Sequence, residues 1–220
     1  MSYVLIVLLL MVATTYFIFI KGNDSSSKIN EWDKILSTAA LISSQSEKVA
    51  GAIEFAKSDR DILNENSTFY VTARNQFGDR YVEWIDEDLA AEKIPAAVFK
   101  TVLHGYGFMA YLDWKDIYDP DEVFCTLSNV FTVLGLKEVN NKDIALIKDQ
   151  VEQVGDSSVK AVMIIKAMEK LVHSAGHEIA WFDESGDSFA FFILQPETAQ
   201  KLENVVLDED HRFISTPVFK

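Results

Sequence analysis

Cysteine is almost absent. Cys125 stands alone, so no disulfide can close within the chain, and whatever holds it folded must be packing rather than cross-links. The signatures of nucleotide and acyl chemistry are missing as well. There is no Walker loop, no Gly-x-Gly-x-x-Gly and no Gly-x-Ser-x-Gly, which removes phosphate-cradling loops and the nucleophile elbow. Basic residues are few, 20 against 34 acidic, for a formal net charge of −14. Such a surface repels nucleic acid and anionic headgroups, so neither is expected as a partner. No repeat or low-complexity block interrupts the sequence.

Charge is wholly lacking from Ser2 to Ile20. An apolar helix of that length spans about 28 Å, close to the hydrocarbon thickness of a bilayer. No basic n-region precedes it and no small-x-small site precedes Lys21, so an uncleaved anchor over residues 1–21 is expected rather than a signal peptide. Lys21, Lys28 and Lys34 come after the segment, which by the positive-inside rule keeps the remainder in the cytoplasm, at an inner membrane crossed once. Residues 22–28 are a short polar linker.

The chain as a whole is half apolar with 15 Phe, enough for a real core over residues 29–206, with a tail at 207–220. The organising stretch is a hairpin. Gly176–Phe182 and Ser188–Leu194 are strand-length apolar runs around an Asp-rich turn with Gly186. Phe189, Phe191 and Ile193 point one way and Ala190, Phe192 and Leu194 the other, which predicts a central position in a sheet covered on both faces. Helical spacing marks residues 29–57, with a break near Ser43–Ser46. Phe69–Ala73 and Tyr81–Ile85 alternate as a second hairpin, and Phe108–Trp114 as a further strand. Pro95, Pro120 and Pro196 open helices, and Asp119 is placed to cap the second of these. Another helix is expected near residues 144–154, and Val159–Val172 is expected to form the most buried helix of all. The whole predicts an α+β fold with a largely antiparallel sheet of about five strands.

Candidate chemistry is thin. His173 and His177 have the spacing of ligands one helical turn apart, but Gly176 should end the helix between them. Asp113, Asp116, Asp183 and Asp187 gather at strand ends and turns, where grouped carboxylates could hold a hard cation. Caps and turns explain the same residues without a metal, so no metal and no cofactor is expected. Cys125 lies in an amphipathic helix beside Phe124 and reads as a small core residue. Asn66-Ser67-Thr68 has the form of a glycosylation site, relevant only outside the cell.

The strand ending in Asp113-Trp114-Lys115, followed by the late hairpin Asp183-Glu184-Ser185-Gly186-Asp187-Ser188-Phe189, resembles a bacterial domain family of unknown function over about residues 84–206. The resemblance implies a fold and a boundary and brings no activity. An acidic module tethered at a membrane and binding a protein partner is the function expected. A hydrolase assisted by a metal at Asp113, Asp116, Asp183 and Asp187 is the alternative.

Overall fold

A computed structural model describes residues 30–79, 82–85, 89–113, 115–137, 140–184 and 188–214. The anchor and linker expected at residues 1–28, Trp114, Gly186, Asp187 and the last six residues lie outside them. No helix among the described residues is long and apolar enough to cross a membrane.

The late hairpin sits at the centre. Strands β1 (Met109–Asp113), β2 (Glu178–Asp183), β3 (Ser188–Leu194) and β4 (Arg212–Ile214) form one antiparallel sheet in the order β1-β3-β2-β4. Met109 faces Phe192 and Asp113 faces Ser188, while Phe182 faces Ala190 on the other flank of β3. The two-sided pattern of β3 places Ala190, Phe192 and Leu194 in one core and Phe191 and Ile193 in the other. Helices α1 (Glu31–Ile42), α2 (Glu47–Ser58), α3 (Thr68–Phe77) and α4 (Ile94–Gly105), with α8 (Pro196–Leu202), cover the first face. Helices α5 (Pro120–Val133), α6 (Asn141–Glu152) and α7 (Ser157–Ser174) cover the second. The result is an α+β unit with helices on either side of one antiparallel sheet.

Local signals explain most of these boundaries. Asn30 caps α1 with its side chain, and Asp119 accepts from the Asp121 amide at 2.8 Å to start α5 ahead of Pro120. The break between α1 and α2 is made by Ser44 and Gln45 at positive φ. Gly176, at φ +77°, ends α7, with the His177 amide reaching back to the Val172 carbonyl at 3.1 Å.

Two expectations are corrected. Phe69–Ala73 is not a strand but part of α3. Phe69 and Ala73 are buried four residues apart, whereas Val71, which alternation would place beside them, is exposed. Ser67 caps this helix through the Tyr70 amide, and the Asp59 carboxylate accepts from the Phe69 amide at 2.7 Å. Val82 and Ile85 bury their side chains from a turn. The described sheet therefore has four strands rather than five. Nor is α7 the most buried helix, since Val159 and Val162 on it are exposed. That helix is α4, buried at every position from Pro95 to Leu103, because it lies between the sheet and helices α1 to α3.

The tail expected from residue 207 is in part core. Leu207 and Phe213 are buried, and β4 pairs with β2 over Trp181–Asp183.

Candidate functional site

A polar cluster is built where α4 crosses the sheet near the hairpin turn. Lys100 and His104, four residues apart, share one face of α4. Tyr111 rises from β1 on the same side of the sheet as Met109, and Glu184 follows the end of β2. The indole of Trp84 closes the group, its ring centroid 5.3 Å from that of His104 and 5.4 Å from that of Tyr111. The Lys100 ammonium lies 5.0 Å from the Trp84 ring centroid and donates to Glu184 Oε2 at 3.2 Å. Both charged side chains are almost closed off from water, at 9% and 7% exposure.

Burial at this depth makes the partners interdependent, because either charge alone would be stranded in a medium of low dielectric. The attraction of an ammonium to an indole face adds to the carboxylate's. Glu184 Oε1 and Thr101 Oγ1 are buried and have no hydrogen-bond partner among the described residues. Burial pushes the Tyr111 phenol above its ordinary value of 10.0, and the charges of Glu184, Asp113 and Glu83 push the same way, against a hydrogen bond with Ser188. The phenol is therefore held neutral beside the ion pair. Chemically the cluster offers a neutral hydroxyl, an imidazole, and an ammonium locked to a carboxylate, behind aromatic walls.

A family model described as Domain of unknown function (DUF6630) matches residues 35–216. The chain belongs to that family. No curated protein and no solved structure matches it. The DUF6630 match is wider than the resemblance drawn from the two strand-end motifs: it opens inside α1 and takes in the helical layer over α4. The candidate cluster of this DUF6630 domain, from Trp84 to Ser188, falls wholly inside the match.

Asp113 and Asp183, two of the carboxylates singled out from the sequence, do not come together in the DUF6630 sheet. Asp113 extends from β1 on the side of Met109 and Tyr111, and Lys115 lies 3.3 Å from it. Asp183 leaves β2 on the side of Trp181 and Ile179, and Arg212 donates to it at 3.1 Å. Successive strand residues alternate faces, so the sheet itself stands between the two. Asp116 belongs to a 3-10 turn, Asp116–Tyr118, after β1. No group of three His, Cys, Asp or Glu among the described residues could hold a metal ion. His177 has both ring nitrogens engaged, Nδ1 with the Ala175 carbonyl at 2.9 Å and Nε2 with the Gln195 amide at 2.8 Å. Cys125 is exposed rather than buried. It lies two residues from both Val123 and Leu127, the buried stripe of α5, and so on the opposite side of the helix.

The cluster escaped sequence reading, although one signal for it existed. Lys100 and Thr101 interrupt the run Pro95-Ala-Ala-Val-Phe-Lys-Thr-Val-Leu103, apolar on every helical face. A lysine there must be buried, and a buried lysine requires a counter-charge.

Proposed function

We propose that the chain is an acidic protein-binding module tethered to the inner membrane by residues 1–21, its folded part on the cytoplasmic side. The observation that carries this reading over a metal-assisted hydrolase is the separation of Asp113 and Asp183 by the sheet, each beside its own cation. Metal-assisted hydrolysis needs carboxylates converging on one cleft, whereas a binding surface works with charges dispersed. The excess of acidic residues favours a basic partner, drawn in by long-range attraction.

The reading is tested by cross-linking in intact membranes, followed by titration of the purified chain with the recovered protein. Saturable binding that weakens as salt is raised is expected. Its absence would overturn the reading. So would a divalent ion that raises the unfolding midpoint of the wild type but not of Asp113→Asn, since an ion bound only by the folded state stabilises it in step with the logarithm of its concentration. No response to magnesium, manganese or calcium is expected, and Asp113→Asn should itself cost about 1 kcal/mol or less. For sidedness, a C-terminal alkaline phosphatase fusion should be inactive and a fluorescent-protein fusion bright.

A further inference from the structure

Helix α7 buries one side and presents a divided stripe on the other. Ala161, Ile164, Ile165, Met168 and Val172 face the core. At about 100° per residue, Val159, Val162, Lys166, Lys170 and His173 fall on the side directly opposite. All five are exposed, Val159 at 48% and Val162 at 38%. The N-terminal half of the stripe is thus apolar. Its C-terminal half is cationic, in a chain of net charge −14. Neither lysine meets a carboxylate among the described residues.

At the cationic end a groove of about 460 Å³ opens between α7 and the start of β2. Lys166, Lys170 and His173 line it, together with Glu169 and Glu178. At the other end stand two exposed acids, Asp156 and Glu152. Asp156 caps α7 through Oδ1, which accepts from the Ser158 and Val159 amides at 2.8 and 3.2 Å, and Glu152 ends α6. Along the helix the order is therefore acid, valine, valine, lysine, lysine. Such a surface complements itself when reversed. From the midpoint between Val159 and Val162, Asp156 lies about 7 Å along the axis one way and Lys166 about 8 Å the other.

We propose that α7 packs antiparallel against α7 of a second copy, about a twofold axis between Val159 and Val162. Val159 of each copy then meets Val162 of the other, and Asp156 of each falls beside Lys166 of the other. The turn at residues 153–156, flanked by Glu152 and Asp156, points into the second copy's groove towards Lys170 and His173. A foreign acidic segment would answer the lysines but meet like charge at Asp156, and a basic one would do the reverse. The second copy matches both ends. Net charge alone keeps two copies apart, so their contact needs cations set against acids, and this stripe supplies them. One helix and one groove bury less than about 1,200 Å² in total, so the association is weak and reversible.

The full chain in mild detergent tests the proposal, with Cys125→Ser throughout. A short bismaleimide should join Val162→Cys to itself in a covalent dimer, in a yield that saturates as protein concentration rises. Val71→Cys, exposed on α3 on the other side of the sheet, should stay far below it and so measures crowding within the micelle. Lys166→Glu and Asp156→Lys, each added to Val162→Cys, should lower the yield at least about tenfold, because like charges then face each other. Mixing those two chains should restore it, since every acid again meets a cation. Far-UV circular dichroism checks that each variant is folded; should loss of the cap unfold Asp156→Lys, the Lys166→Glu result decides. A yield from Val162→Cys no higher than from Val71→Cys overturns the proposal, as does full yield in Lys166→Glu. Loss in both single variants without recovery in the mixture would refute the antiparallel pairing. A different protein captured at Val162→Cys in intact membranes, with no self-linked chain, would assign the stripe to that partner instead.

Discussion

Lys100 and Glu184 lie 84 residues apart in sequence and owe their burial to each other. Lys100→Met should strand the carboxylate and cost about 3–5 kcal/mol, whereas the pair Lys100→Met with Glu184→Leu should recover most of that loss. Urea unfolding of the two single variants and the double variant measures it, and additive losses would contradict the coupling. Tyr111 makes a spectroscopic prediction. Of the seven tyrosines, this one should form tyrosinate later than an exposed phenol as pH rises, and Tyr111→Phe should delete that late phase. Its pKa is raised in the folded state, chiefly by burial. Its stabilising effect is thus complete below the unfolded value of about 10 and is lost as pH rises through the folded value.

At the level of elements, the sequence was legible wherever one pattern had one solution. The double-faced run Phe189–Leu194 could only be a strand covered on both sides, and Asp119-Pro120 could only open a helix. Phe69–Ala73 was ambiguous because residues at i and i+4 satisfy alternation and helical spacing equally. The capping contacts of Asp59 and Ser67 decided it. Burial of α4 was hidden for a different reason, since it depends on a third layer, α1 to α3, that no local pattern announces. The cluster around Lys100 was hidden likewise, as its members come from four separate segments. The turn between α4 and β1 is held to a narrow solution. Gly107 has φ +78°, and a Cβ there would stand 2.7 Å from Val133 Cγ2. Gly107→Ala should therefore destabilise the fold by about 1–3 kcal/mol, from left-handed strain and overpacking together. A thermal midpoint equal to wild type would show that the turn can relax.

For the molecule as a whole, both cores are closed by described residues from 30 onward. Removing residues 1–21 should accordingly release a soluble, folded domain. A shortened chain that aggregates, or that stays with membranes after a carbonate wash, would contradict this. The central place of β3 also bears on the order in which the parts can assemble. Its seven residues, Ser188–Leu194, carry side chains into both cores and join β1 to β2. During synthesis they leave the ribosome after seven of the eight described α-helices. Until then α1 to α4 have no sheet to close over, and α5 to α7 lack the wall that separates them from the other layer. Pairings this distant along the chain are slow to form. A nascent chain would thus carry apolar helix faces uncovered for most of its synthesis, the interval in which a chaperone has something to hold.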